Sequence, residues 1–232
     1  MSVFAISDLH LSLSIDKPMD VFGDRWKNYM EKMEREWRNT VGENDYVIIP
    51  GDISWATYLE QSAADFEFIE SLPGRKVISK GNHDYWWTTM NKLNAFLKDN
   101  NLSSISFMHN NSFKLGRYLI CGTRGWTVPG DDDCRDEDVK IYKRELQRLE
   151  NSLKHACRTD GEILVAALHY PPFNSRWEPS GFVDIMKDYR VDVCLYGHLH
   201  AESINNAVEG KIEGIDFKLV SADHLDFKPL RL

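Results

Sequence analysis

A chain of 232 residues, 42% of them apolar, can bury one sizeable core, and the whole of 1–232 is read as a single domain. A formal net charge of -8 without any dense Lys/Arg block excludes a protein that grips nucleic acid mainly through its phosphates, so no extended nucleic-acid surface is expected. Small anionic substrates stay open, because salt screens surface charge beyond about 8 Å and the groups inside a cleft decide what it attracts.

Val3 to Ile6 reads as a first strand running into Asp8. That run is too short for a secretory signal and no apolar stretch is long enough to span a membrane, so neither export nor membrane insertion is expected. Four cysteines without a Cys-x-x-Cys pair point to free thiols in a reducing cytoplasm. Phe22, Trp26, Met30, Met33 and Trp37 recur at helical spacing and predict a helix from about Phe22 to Val41. A strand over Tyr46 to Ile49 then closes at Gly51-Asp52. A helix over Leu59 to Leu72, with Ala63, Phe66 and Ile69 on one face, stops at Pro73-Gly74. Strand Lys76 to Ser79 leads into Gly81-Asn82-His83-Asp84, and a helix carrying Trp87, Met90, Leu93 and Phe96 follows.

The second half reads differently. After a strand over Ser104 to Met108, Ser112 to Leu115 and Tyr118 to Gly122 flank Gly116-Arg117 as a hairpin with a two-residue turn. A long helix from about Glu137 to Ala156 is expected to turn Ile141, Leu146, Leu149 and Leu153 inward. Apolar runs Ile163 to Leu168 and Val191 to Tyr196 end at His169 and at Gly197-His198-Leu199-His200, and strands are expected around Ser203 to Val208 and Ile215 to Val220.

Five strand-like runs therefore end in turns bearing Asp8-Leu9-His10, Gly51-Asp52, Gly81-Asn82-His83-Asp84, His169 and Gly197-His198-Leu199-His200. Strands that carry such groups at their C-terminal tips can converge them in the crevice where open α/β sheets bind ligands. Taken singly, these residues have plainer roles: Asp and Asn cap helices, and one histidine at a strand end can be structural. The ordered set is what points to metal chemistry. The glycines Gly51, Gly81 and Gly197 fit either a close backbone approach or ordinary turns.

In this order, from Asp8 to His200, the blocks resemble the calcineurin-like metallophosphoesterase superfamily. The resemblance implies an α/β fold, a metallophosphoesterase-type β-sandwich of mixed sheets flanked by helices. It also implies that Asp8, His10, Asp52 and His200 hold one metal, that Asp52, Asn82, His169 and His198 hold another, and that Asp52 bridges them. Asn82 and His83 would meet the substrate, with His83 touching a phosphate oxygen or protonating the leaving group and Asp84 orienting its ring. The chemistry asks for the same residue types. One carboxylate can serve two cations roughly 3.5 to 4 Å apart, and neutral imidazoles leave the centre positive, so a metal-bound hydroxide can attack phosphorus in line.

The expected function is thus a two-metal phosphoester hydrolase for a small phosphodiester or nucleotide-type substrate, with two divalent or trivalent ions, manganese preferred over iron, zinc or cobalt. Gly51-Asp52-Ile53-Ser54-Trp55 departs from the Gly-Asp-x-Val-Asp-Arg-Gly of protein Ser/Thr phosphatases and disfavours that substrate class. A phosphomonoesterase of the same fold and a non-catalytic metal-binding interaction module are the alternatives; a dinuclear amidohydrolase is opposed by the late position of the His-x-His pair. Arg124 can reach a phosphate as a bidentate donor. The acidic loop 123–138, with Asp131, Asp132 and Asp133, is a candidate rim or lid, and Tyr170 to Pro179 is a second specificity loop. Trp55, Trp86, Trp87, Trp126 and Trp177 are read mainly as packing, and His109, His155 and His224 as structural.

Overall fold

The computed structural model describes residues 1–17, 19, 23–131 and 134–232 of the chain. In the first sheet β1 (Val3–Ala5), β2 (Tyr46–Pro50), β3 (Arg75–Ser79) and β4 (Ile105–Phe107) run parallel, and β11 (Leu230–Arg231) pairs antiparallel with β1. The second sheet has the order β5-β6-β7-β8-β10-β9. Its β6 (Tyr118–Thr123), β7 (Ile163–Leu168), β8 (Val193–Tyr196) and β10 (Ile215–Leu219) are parallel, with β5 (Phe113–Leu115) and β9 (Gly210–Ile212) antiparallel at the edges.

Side-chain alternation along these strands builds the layers. Ile48, Val77, Ile120, Val165 and Ala167 point into a core between the sheets, while Val47, Ile49, Leu164 and Ala166 point outward under helices. Because both faces are covered, the strands read as unbroken apolar runs. Helices α1 (Tyr29–Thr40), α2 (Ala63–Ser71) and α3 (Met90–Asp99) cover the first sheet, and α4 (Asp136–Lys154) and α5 (Gly181–Asp188) cover the second. Trp37 anchors the first layer: it is fully buried, and its Nε1 donates to the Pro73 carbonyl at 3.0 Å.

The expected β-sandwich of mixed sheets flanked by helices is present. The first helix begins at Tyr29, after a separate 3-10 turn at Asp24–Trp26, because Asn28 is left-handed at φ 52 and interrupts it; Phe22 lies outside the described residues. The element at Leu59 is split into a 3-10 turn, Leu59–Ser62, and α2. Helix α3 starts at Met90 rather than near Trp87, since Thr89 is extended.

Where a strand was expected around Ser203 to Val208 there is a 3-10 turn, Ala201–Asn206, closed by His200 N donating to Ser203 Oγ at 2.8 Å. The last hairpin is β9 with β10, through Glu213 and Gly214 at φ 50 and 91, the left-handed pair a tight hairpin favours. On α4, Ile141 is only half-buried, and Glu145 and Ser152 point inward with Tyr142, Leu149 and Leu153. Those polar residues bond the end of β6: Gly122 N donates to Ser152 Oγ at 2.9 Å and Thr123 Oγ1 to Glu145 at 2.6 Å.

Candidate metal centre

The sheets are stitched together where β1 ends. Ser7 N donates to Val220 O at 2.7 Å and Ala222 N to Ser7 O at 3.0 Å, which brings Asp8 beside the turn after β8. The segment after Asp8 then runs along the segment after β2, with Asp8 N on Gly51 O, His10 N on Asp52 O and Leu11 N on Ile53 O, all at about 3.0 Å. Asp8, His10, Asp52 and His198 are left-handed at φ 60, 48, 52 and 72. Such backbone costs on the order of 1–3 kcal/mol per non-glycine residue and persists where the surroundings over-determine it. Gly81 has no room for a side chain, since a Cβ would run into Asp52 N and Oδ1, and Gly51, at φ 94, would place one 2.6 Å from Gly81 Cα. The two ligand turns touch backbone to backbone, so close approach, beyond ordinary turn chemistry, explains these glycines.

All seven expected ligands meet in one cluster, Asp8, His10, Asp52 and His169 buried and Asn82, His198 and His200 half-buried. His200 Nε2 lies 3.1 Å from Asp8 Oδ1 and 3.3 Å from His10 Nε2. Asp52 Oδ2 lies 3.8 Å from His10 Nε2 and 3.4 Å from His169 Nε2. Asn82 Oδ1 is 2.6 Å from His169 Nε2 and 2.9 Å from His198 Nδ1. Among the described residues two sets of His and acidic side chains have the spacing to hold a metal ion, Asp8 with His10 and His200, and Asp8 with Asp52 and His169.

The donor chemistry fits cations. His169 Nδ1 sits 3.1 Å from the Pro50 carbonyl, which can only accept, so that nitrogen carries the ring proton. Burial pushes His169 down to about 3, so the ring is neutral and its Nε2 turns a lone pair toward the oxygens of Asn82 and Asp52. Lone pairs packed on lone pairs repel unless a cation lies among them. On the other side burial opposes a charge on His200, but Asp8 and Asp223 outweigh it and push the ring up to about 10. A proton held between those carboxylates marks a place built for positive charge. Burial alone would raise Asp8, yet His200, His169 and His10 take it far below the usual carboxylate range; Asp52 is raised by burial, Asp8 and Asp84.

Asp84 corrects an expectation. Instead of orienting the ring of His83, its carboxylate accepts N–H bonds from Asp52 at 3.0 Å, Ile53 at 2.8 Å and Gly81 at 2.7 Å, and from Trp86 Nε1 at 3.1 Å. It clamps the two ligand turns together. His83 Nδ1 is buried without a partner, and the ring packs 4.3 Å from Trp55, which itself stacks on His10 at 4.8 Å. Trp55 thus serves both packing and the site.

Arg124 does not reach the cluster with its guanidinium. That group lies 4.1 Å over the Trp126 ring and 3.6 Å from Glu145, while its carbonyl accepts from His169 N and Tyr170 N. The two loops expected to set specificity hold each other: Ser175 N donates to Asp131 at 2.7 Å, Arg176 to the Gly130 carbonyl at 2.9 Å, and Trp126 packs on Tyr170, which tilts over His198 at 4.2 Å. Asp132 and Asp133 lie outside the described residues. Sequence reasoning missed Asp223, which bonds His200 Nδ1 at 3.0 Å and Ala201 N at 3.0 Å. Its signal was available, an acid just beyond the expected strand Ile215 to Val220, as acids and histidines follow the other strands.

A family model described as calcineurin-like phosphoesterase matches residues 1–202, and the chain belongs to that family. No curated protein matches it. Among solved structures it is similar to the phosphopantetheinyl hydrolase of Mycobacterium tuberculosis, with TM-score 0.57 and 12% identity over 100% of this chain and 95% of that one. It is also similar to a protein of unknown function from Aquifex aeolicus, with TM-score 0.52 and 15% identity over 99% of this chain and 95% of that one. At these identities the likeness shows the fold alone.

Proposed function

We propose that the chain is a two-metal phosphoester hydrolase acting on a small phosphodiester or nucleotide-type substrate. The observation that carries this reading is the meeting of all seven candidate ligands in one cluster, where neutral His169 Nε2 lies 2.6 Å from Asn82 Oδ1, an acceptor on an acceptor that a cation relieves. Asp8, His10, Asp52 and His200 hold one ion, and Asp52, Asn82, His169 and His198 the other. The position of Asp52 Oδ2 between His10 and His169 supports its bridging role. When bound, the ions, manganese by preference or iron, zinc or cobalt, polarise the phosphoryl oxygens and acidify the attacking water.

The residues around them do the positioning. Pro50 O and Asp223 fix the Nδ1 protons of His169 and His200, which aims each Nε2 inward. His83, half-buried at the rim against Trp55, holds a phosphoryl oxygen or passes a proton to the leaving group. Asp84 acts through the turns it clamps. One domain over 1–232 belongs to this reading, since both sheets supply ligands. So does a cytoplasmic location, which the unpaired, buried thiols of Cys121 and Cys194 support. Among the described residues no helix is long and apolar enough to cross a membrane.

The test is a phosphoester panel run on protein stripped with chelator and reloaded with defined metals. Bis-p-nitrophenyl phosphate should be cleaved faster than p-nitrophenyl phosphate. A strong monoester preference overturns the diester assignment, and no hydrolysis despite bound metal overturns the enzyme in favour of a metal-binding interaction module.

A further inference from the structure

Beside the metal cluster lies a cavity of about 320 Å³ lined from the end of β3, the end of β6 and α4. Three cations, Lys80, Arg124 and Arg148, face it with one carboxylate, Glu145. Glu145 is fully buried and already engaged: Arg148 donates to it at 2.7 Å and Thr123 at 2.6 Å, leaving Arg124 at 3.6 Å. Positive charge is therefore in excess inside a chain whose formal net charge is -8.

Hydrogen bonding gives an independent sign of a missing ligand. Six buried side-chain polar atoms among the described residues lack a partner, and two of them that can donate to an anion, Ser79 Oγ and Arg124 Nε, belong to residues lining this one cavity. Ser79 is 2% exposed, so water at the surface does not satisfy it. Leaving such groups unpaired costs roughly 1–3 kcal/mol each, more for a charged group, and asks for an explanation.

We infer that this cavity is a phosphate-binding subsite, separate from the metal cluster, in which Lys80, Arg124 and Arg148 carry the charge and the Ser79 hydroxyl donates a further hydrogen bond. Lys80 and Ser79 immediately precede Gly81-Asn82, and the Arg124 carbonyl holds His169 N, so the subsite is built on two of the segments that carry the candidate ligands. Its phosphate is either a second phosphate of the substrate or a free phosphate acting as effector; the substrate source rests on the hydrolase reading above.

The deciding experiment titrates inorganic phosphate into the full-length, metal-free protein in a calorimeter. One saturable site is expected, weakened about tenfold or more in Lys80→Met and unchanged in Lys187→Met, a surface control. Lys80→Met relieves repulsion among cations, so it should fold; Arg124→Lys, which keeps the charge but loses the guanidinium fork, should weaken binding too. No saturable binding, or equal weakening in Lys187→Met, overturns the subsite. With metals reloaded, a phosphodiester bearing a second phosphate should show a raised KM in Lys80→Met while its unphosphorylated analogue does not, which assigns the source to substrate. A shift in turnover of both substrates by free phosphate, lost in Lys80→Met, assigns it to an effector instead. If binding is confirmed and nothing is hydrolysed, the hydrolase reading fails and the subsite stands.

Discussion

The first sheet contributes Asp8, Asp52 and Asn82 to the candidate centre along with His10 and His83, whereas the second contributes imidazoles alone, His169, His198 and His200. The one acid that the second sheet brings close, Asp223, bonds the outer nitrogen of His200. Carboxylates are thus buried as candidate ligands on one side and imidazoles on the other, where burial keeps His169 and His198 neutral. Buried carboxylates raise the energy of the metal-free fold, while a neutral imidazole bonded to a carbonyl, as His169 is to Pro50, does not. The two halves should therefore respond in opposite senses to loss of a ligand, and that contrast can be broken experimentally.

Asp52→Asn should have the largest effect. It removes the carboxylate between His10 and His169 but keeps an oxygen for the His83 N–H, now held at 2.8 Å. Turnover should fall below detection and metal content should drop, as elemental analysis would show, while the metal-free variant melts higher because burial and Asp8 already disfavour the Asp52 charge. His169→Ala, on the second sheet, should also lose metal but melt lower, since it opens a cavity and leaves the Pro50 carbonyl unpaired. Melting shifts of the same sign in the two metal-free variants would remove the contrast.

His83→Ala comes next. Loss of a group that hydrogen-bonds or protonates at phosphorus typically lowers kcat by about 10²–10⁴-fold, and here metal content should stay intact because His83 is not among the proposed ligands. Metal loss equal to that of Asp52→Asn would contradict the division between holding metal and handling substrate. Asp223→Ala should be smaller again. A partner that orients a ligating imidazole is worth roughly 10–100-fold in metal affinity, so competition with a chelator should show that loss, and added metal should restore turnover.

How much of this was legible in the sequence follows from the range of each interaction. Ligand turns were readable because strand, turn and ligand are contiguous, and parallel strands carry their tips to one edge without further information. Asp84 misled because its neighbour in sequence is His83, while two of its N–H donors, on Asp52 and Ile53, lie more than thirty residues away. Glu145 and Ser152 could not be recognised as inward-facing from helical periodicity, since their partners Thr123 and Gly122 are on β6. The misread stretch after His200 has Ile204, Ala207 and Val208 at spacings that do not alternate, and it turns as a 3-10 element closed by His200 N on Ser203 Oγ while β9 takes the place beside β10.

The smallest expected effect lies in the first sheet, away from the metal centre. Lys76 is 1% exposed on β3, its Nζ bonded to the Leu72 carbonyl, to Ser104 Oγ at 3.0 Å and to the Glu70 carbonyl at 3.4 Å. Burial, only partly offset by Glu70, pushes its amine down to about 8. An unfolded lysine titrates near 10.4, so above the folded value the unfolded chain holds more protons, and this residue makes stability rise with pH through that window. The buried thiol of Cys121, pushed up to about 12 by burial, acts in the opposite direction once unfolded thiols ionise near 8.5. Subtracting the urea midpoints of Lys76→Met from those of the parent chain at each pH cancels that contribution. The parent should gain on the variant by less than about 1 kcal/mol between about pH 8 and pH 9; a difference independent of pH would mean that the folded amine titrates like an exposed one.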